Sequence, residues 1–302
     1  MNQAFAVRSL LALLPLLAVC GENGESSALL TPTIVASCAP GASASGQPIN
    51  DPNGPYGHQT VIAHTTDGLT MTNAHQVLDH ASVPDGVRRA DGTVLVYYVN
   101  GAAGATHVAR IVADSAQPLG PITVDGVVSP AAIVDPDVQS VPGGAVRMFY
   151  LNGFGPPNSG VPRAMCSADS QDGIHFTTRG AAFEWSGSEQ FTDPSVVPLA
   201  DGSWLMAISL GQQTVIARSS NGLTFAREAT LSFGGVPELA IAPDGAVRLY
   251  VCQGGITAYR STDGGRAWTR ERTVMGPGFN GHPIVCDPSL VAGGGLFVFK
   301  TG

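Results

Sequence analysis

Ser261-Thr262-Asp263-Gly264-Gly265-Arg266-Ala267-Trp268 spells a hairpin turn that ends on a large aromatic residue. In such a turn Asp bonds its own nearby backbone, Gly supplies a positive φ, and the aromatic ring packs beneath. Three shorter versions stand upstream: Thr65-Thr66-Asp67-Gly68-Leu69-Thr70-Met71, Ser170-Gln171-Asp172-Gly173-Ile174-His175-Phe176 and Ser219-Ser220-Asn221-Gly222-Leu223-Thr224-Phe225. One turn written four times marks an internal repeat, and a repeat constrains architecture before any single element does.

A second pattern is phased with the first. Five segments carry a proline step: Val83-Pro84-Asp85, Asp135-Pro136-Asp137, Asp193-Pro194-Ser195, Val236-Pro237-Glu238 and Asp287-Pro288-Ser289. Each leads through a small turn into an apolar strand, and the prolines are spaced 52, 58, 43 and 51 residues apart. Proline cannot donate to a ladder, so these steps read as strand starts. Units of this size, each two hairpins, are propeller blades. The expectation is an all-β fold, a five-bladed β-propeller over residues 58–302. The unit from Val83 to about Val124 has no recognisable turn of the first kind. The turn at Asp67 has no proline step before it, and the step at Pro288 has no such turn after it. Both gaps close if strands near residues 60–63 and 69–72 pair with the C-terminal hairpin. The last blade would then be closed by N-terminal strands, leaving no open edge. A β-sandwich is the competing architecture, and the phased alternation of two motifs argues against it.

The four turns resemble the Asp box, SxDxGxxW, of sialidases and related β-propellers. The copy ending at Trp268 has the full form, and the others are one residue shorter. An Asp box sits in an outer turn, so the resemblance implies a fold and not an active site. Sialidases hold the substrate carboxylate with an arginine triad whose first member lies two residues before a proline. The stretch here is Ala81-Ser82-Val83-Pro84, with Arg88 and Arg89 farther along, and neither Tyr250 nor Tyr259 pairs with a Glu at recognisable spacing. The proline steps are similar to those of five-bladed arabinanase- and β-xylosidase-type glycoside hydrolases. In that family a base lies in an Asp-Pro step, a second Asp tunes it, and a Glu from another blade is the acid. The resemblance implies a catalytic set of Asp135, Asp193 and Glu238, although Glu238 follows its proline where the family's Glu precedes one. Asp85, Asp137 and Asp287, with His282 in Asn280-Gly281-His282-Pro283, make up the expected ligand-binding set at the funnel mouth. Crowded acids hold protons to higher pH, which suits a general acid. The bland alternative is equally physical: Asp at a proline step can cap a turn or accept an N–H from the next blade, and recurrence in three of five blades fits that role. Trp185 would stack on a sugar or simply fill a half-buried gap.

Composition narrows the function classes. The chain has 302 residues, 44% hydrophobic and 13% charged, with 38 Gly and 22 Pro and a formal net charge of −8. The 15 basic residues, 14 Arg and Lys300, are scattered, which disfavours nucleic-acid binding. No apolar run reaches membrane-spanning length. Seven His residues show no HxH or HExxH spacing, and no dinucleotide, P-loop or GxSxG motif occurs, so neither metal nor cofactor is expected. Residues 1–20 read as a signal peptide, and 21–57 as a tether and N-terminal extension. Leu17-Ala18-Val19-Cys20 resembles a bacterial lipobox, which implies an exported protein, lipid-anchored through Cys20 or else secreted. In an oxidising compartment Cys38, Cys166, Cys252 and Cys286 have three possible pairings. Two readings stay open: a carbohydrate-directed propeller that hydrolyses glycosides with paired carboxylates, or a non-catalytic propeller that binds a glycan or protein at the cell surface. If Cys20 carries the lipid, Cys20→Ala will move the protein from the membrane fraction to the soluble pool on fractionation; a wild type that is already soluble identifies a secreted protein.

Overall fold

The repeat becomes a ring of five sheets. In the computed structural model the described residues are 38, 54–127, 133–152, 164–185 and 188–302. The expected signal peptide, Cys20 and most of the tether lie outside them. Strands β1 (Gln59–Thr65) and β2 (Thr72–Asp79) come first. Blade 1 is β3 (Ala81–Arg88), β4 (Val94–Asn100), β5 (Ala105–Val112) and β6 (Ser115–Pro121). Blade 2 is β8 (Ile133–Ser140), β9 (Val146–Asn152), β10 (Ala164–Ser170) and β11 (His175–Glu184), with the short β7 (Thr123–Val124) added in parallel outside β11. Blade 3 is β12 (Thr192–Pro198), β13 (Trp204–Leu210), β14 (Gln213–Ser219) and β15 (Ala226–Leu231). Blade 4 is β16 (Val236–Ile241), β17 (Val247–Cys252), β18 (Ile256–Ser261) and β19 (Thr269–Met275). Blade 5 joins β20 (Val285–Leu290) and β21 (Gly295–Thr301) to β1 and β2, in the order β2-β1-β21-β20.

The closing blade pairs as the phasing of the motifs requires. β1 runs antiparallel to β21 along its whole length, from Gln59 opposite Thr301 to Thr65 opposite Gly295. The second N-terminal strand is β2, so residues 69–71 belong to the turn and not to a strand, a correction to the expected boundary. Position within a blade explains composition. Second strands such as β4, β9 and β17 are covered on both faces by neighbouring blades, and they read as nearly unbroken apolar runs. The outermost strands β6, β15 and β19 are mostly exposed; β15 and β19 carry charged residues and β6 carries Pro118 and Pro121, which protects these outer edges from pairing with other chains.

The proline steps do not start the inner strands, as the sequence suggested. They lie inside them, and in four blades they sit at a bulge. The pairing register slips between Ser82 and Asp85, between Val134 and Asp137, between Thr192 and Pro194, and between Cys286 and Ser289. A bulge removes the need for the N–H that proline lacks. The residue before each of these prolines is left-handed: Val83 at φ 49°, Asp135 at 51°, Asp193 at 47° and Asp287 at 47°. Blade 4 has no slip, and Val236 follows Gly235, which takes φ 128°.

The residue after each proline reaches the next blade, with a bulge in four blades and without one in blade 4. Asp85 accepts the N–H of Val138, Asp137 that of Val196, Ser195 that of Leu239, Glu238 that of Leu290, and Ser289 that of Gly86. In every case the donor follows the next blade's own acceptor residue by one position. Five bonds thus form a closed circuit around the axis.

A second circuit lies farther out, where the Asp-containing turns dock on the preceding blade. Tyr97 of β4 donates to Gly173 O at 2.8 Å and Arg147 of β9 to Gly222 O at 3.1 Å. Arg218 of β14 donates to Gly264 O at 2.8 Å, and Tyr250 of β17 to Gly68 O at 2.8 Å. Inside each turn the Asp or Asn oxygen takes two backbone N–H groups; Asp67 Oδ1, for example, accepts from Leu69 and Thr70. Blade 1 has no such turn, and its β5–β6 turn meets blade 5 differently. His64 Nε2 lies 3.1 Å from Asp114 Oδ2, and His75 Nε2 lies 2.9 Å from Asp114 O. The disulfides are Cys38–Cys166 and Cys252–Cys286; the second ties β17 of blade 4 to β20 of blade 5.

The inner circuit predicts a measurable cost. Ser289→Ala leaves the Gly86 N–H buried without its acceptor, and unfolding should become easier by about 1–3 kcal/mol in denaturant titration. A change within ~0.3 kcal/mol would mean that the circuit contributes little.

Candidate active site

The residues before the prolines and those after them form two successive levels along the axis. At the outer level Asp135, Asp193 and Asp287 converge with Lys300, which reaches in from β21. Lys300 Nζ lies 2.6 Å from Asp287 Oδ2, and the Asp193 N–H donates to Asp135 Oδ2 at 3.3 Å. Asp135 and Asp193 keep partial exposure, whereas Asp287 is buried. At the inner level stand Asp85, Asp137 and Glu238, between Ser195 and Ser289.

Backbone geometry alone does not call for acids at the outer level. Asp tolerates the left-handed region better than most residues, and that would explain its recurrence before proline. Yet Val83 holds the same conformation at φ 49° with no carboxylate. A β-branched residue is poorly suited to positive φ, so the bulge forms there regardless of side chain. The three Asp residues therefore add charge and hydrogen-bonding capacity that the bulge does not need.

Their environment sets their protonation. Burial pushes the Asp135 carboxyl up to about 6; the Asp193 N–H opposes this, the Asp287 charge adds to it, and the Lys300 charge opposes it. Asp193 is pushed well above the usual carboxylate range by burial and then by the charges of Asp135 and Asp287. Such a pair can keep one proton near neutral pH, which acid–base chemistry requires.

The structure brings Asp135 and Asp193 together, and it sets Glu238 apart. Glu238 Oε1 accepts the Leu290 N–H at 3.2 Å, and Oε2 accepts the Ser195 hydroxyl at 2.7 Å. Both of its oxygens are thus engaged in holding blades 3 and 5. Asp85 and Asp137, expected at the mouth, are also inner-level residues, only 6% and 2% exposed. Asp287, itself buried, lies at the level of Asp135 and Asp193 as the partner of Lys300. His282 closes a one-turn 3-10 segment through its backbone N–H to Phe279 O. Trp185 is packing: its Nε1 donates to Glu189 O and its ring meets Phe191 edge-on at 4.9 Å. Sequence reasoning missed Lys300, because nothing near it in the chain is acidic. Its uniqueness as the chain's one lysine was the available signal.

The inner trio is notable in its own right. Oxygens of Asp85, Asp137 and Glu238 lie within 4.8 Å of one another, an all-oxygen set of the kind that binds hard divalent cations. Sequence spacing could not show it, since the three acids come from three blades. The single proton of Ser195 goes to Glu238, which leaves Asp137 Oδ2 buried with no donor. Burial raises all three: Asp85 to about 6, Asp137 and Glu238 well above their usual values, with mutual repulsion adding to the last two.

Two cavities flank this trio. A small one of about 30 Å³, room for a single water, lies between the two levels. The other, about 600 Å³, opens beyond the trio and is lined by Val87, Val138, Val197, Leu239 and Leu290.

No family model matches the chain, and no curated protein matches it. Solved structures do match in fold. A protein of unknown function from Dyadobacter fermentans superposes with a TM-score of 0.56 at 18% identity, over 83% of this chain and 84% of its own. An α-L-arabinofuranosidase of family GH43 from Clostridium thermocellum gives 0.54 at 14%, over 72% and 80%. A family 117 glycoside hydrolase from the marine bacterium Zobellia galactanivorans gives 0.55 at 12%, over 85% and 89%. At these identities the likeness is one of architecture, and it agrees with the five-bladed ring.

The raised acids fix the sign of the pH dependence. A carboxyl whose folded pKa exceeds its unfolded value of about 3.9 contributes stability below that value and loses it as pH rises through the folded pKa. Asp85, Asp135, Asp137, Asp193 and Glu238 all act in this direction. Asp67, held at about 2 first by the Leu69 N–H, acts oppositely and loses its contribution as pH falls below about 4. Without added divalent cations, the melting temperature should peak near pH 4–5 and fall by at least ~5 °C by pH 8 in calorimetry. A maximum at pH 7–8 would contradict these assignments.

Proposed function

We propose that this is an exported, glycan-directed propeller that hydrolyses glycosides with carboxyl groups at the funnel mouth. The observation that carries the reading is the convergence of Asp135, Asp193 and Asp287 on one partly open end, in a conformation that Val83 adopts without an acid. Glycoside hydrolysis needs one carboxyl that is protonated and one that is ionised near neutral pH. Burial raises the pKa of both Asp135 and Asp193, and the two carboxyls together are suited to supply one proton holder and one base. Glu238 leaves the mechanism in this reading and becomes part of the frame that joins the blades. The arabinofuranosidase and family 117 neighbours support a glycan substrate by analogy of fold. Two disulfides support an oxidising compartment, and with it export.

A non-catalytic binding role is the second reading. It is favoured by the cavity of about 600 Å³, which is far larger than the space between the acid levels.

The test is turnover on a panel of aryl glycosides and plant or algal polysaccharides. Asp193→Asn and Asp135→Asn should each lower kcat/KM at least ~100-fold with the fold intact, within the range of general acid–base contributions. Glu238→Gln should retain turnover in whatever fraction folds. Glycan binding without hydrolysis by the wild type would favour the second reading.

A further inference from the structure

We infer that Asp85, Asp137 and Glu238 form a binding site for one hard divalent cation, calcium by size, at the centre of the ring. The inference is independent of the hydrolase reading, since none of the three acts in it.

The three acids come from β3, β8 and β16, and so from blades 1, 2 and 4. One oxygen from each lies within 4.8 Å of the other two. Calcium takes oxygen ligands at about 2.3–2.6 Å, so two ligands on opposite sides of one ion can stand up to about 5 Å apart. Magnesium, with ligands at about 2.0–2.1 Å, spans about 4 Å and demands near-ideal octahedral geometry. Carboxylates fixed on three separate strands suit the larger, more tolerant ion.

The acidity here exceeds what cohesion of the blades requires. The inner circuit asks only for an acceptor, and Ser195 and Ser289 provide one at two of its positions without charge. Asp85, Asp137 and Glu238 are only 6%, 2% and 5% exposed. Among the described residues, none of them forms an ion pair with a Lys, Arg or His. A second observation points to a ligand. Asp137 Oδ1 accepts the Val196 N–H from blade 3, which leaves Oδ2 for the other two acids. That oxygen is buried and has no hydrogen-bond donor. A cation satisfies such an oxygen as a donor would, and a dication cancels most of the charge of three carboxylates. Calcium needs six to eight oxygens, and solvent can complete the set. The space of about 30 Å³ between the two acid levels admits a water, and the larger cavity on the other side reaches Glu238. An ion held there joins three blades through one centre, so it binds the folded ring and not the unfolded chain.

The experiment uses the full chain, stripped with EDTA and dialysed into chelator-free buffer at neutral pH. In equilibrium dialysis the wild type should bind one Ca²⁺ per chain with a Kd of about 1 mM or tighter, and Mg²⁺ at least ~10-fold more weakly. With calcium about a hundredfold above Kd, the melting temperature should rise by at least ~5 °C. Asp137→Asn keeps an oxygen for the Val196 N–H and puts an amide in place of Oδ2. It should weaken calcium binding at least ~100-fold, as expected for loss of a charged ligand, and remove the thermal shift. Glu238→Gln keeps an oxygen for the Leu290 N–H and should show the same loss, which covers the case in which Asp137→Asn does not fold. Asp193→Asn alters only the outer acids and should retain one bound calcium. Three results would overturn the site: no calcium on the wild type at about 10 mM, magnesium bound as tightly as calcium, or calcium kept in Asp137→Asn and lost in Asp193→Asn. Turnover is scored separately. Hydrolysis with no calcium bound would remove the ion site and leave the hydrolase. Bound calcium with no glycoside hydrolysed would do the reverse.

Discussion

The ring depends on a side-chain oxygen, one residue past each inner-strand proline, accepting an amide N–H from the next blade. A bulge accompanies this bond in four blades, and blade 4 makes it without one. Four of the five donors, all but the half-buried Leu290, are buried, so a missing acceptor there would leave an amide unpaired at the centre of the molecule. An amide needs only a lone pair, and Ser195 and Ser289 supply one without charge. Asp85, Asp137 and Glu238 supply the same bond with a group that resists burial when ionised. Cohesion and electrostatics at the axis are thus properties of the same atoms. Burial favours protons on these acids, which lowers the charge held at the axis.

The outer circuit solves a different problem. A turn between the third and fourth strands would otherwise present bare carbonyls at the seam between blades. Asp67, Asp172, Asn221 and Asp263 satisfy the N–H groups of their turns from within, which frees the carbonyls to receive Tyr or Arg from the preceding blade. Close approach then requires glycine. At Gly173 a Cβ would meet Leu95 at 2.5 Å, and at Gly222 it would meet the Trp204 ring at 2.6 Å. The seam between blades 5 and 1 lacks this device and uses two histidines on Asp114. Neighbouring carbonyls raise the pKa of His75 there, so this seam, like the axis, is better held in mild acid.

Most of the architecture was legible because it is periodic. The Asp-Gly turns and proline steps obey local rules, and their phase alone indicated five blades and a closing strand from the N-terminus. The site was legible only in part. Asp135 and Asp193 carry the signature of their position in the residue that follows each, proline. Glu238 follows its proline, and that one place sets its side chain at the seam between blades, bonded to Leu290 and Ser195, in a blade with no bulge. Lys300 was invisible because its partners lie on β8, β12 and β20, and only the assembled ring brings them to it.

The strand exchange that closes blade 5 bears on how the molecule is made. Gln59 and Thr301 meet across 242 residues of chain, the kind of distant contact that slows folding. Until β21 arrives, β1 is an uncovered edge with a full row of amide donors and acceptors. The Cys252–Cys286 bridge ties β20 to blade 4, so with the bridge formed the remaining search is made by the β20–β21 hairpin. A second copy's β21 offers the same register to the waiting β1. Protein concentration during refolding then decides between self-closure and a pair of rings that have traded their final strands.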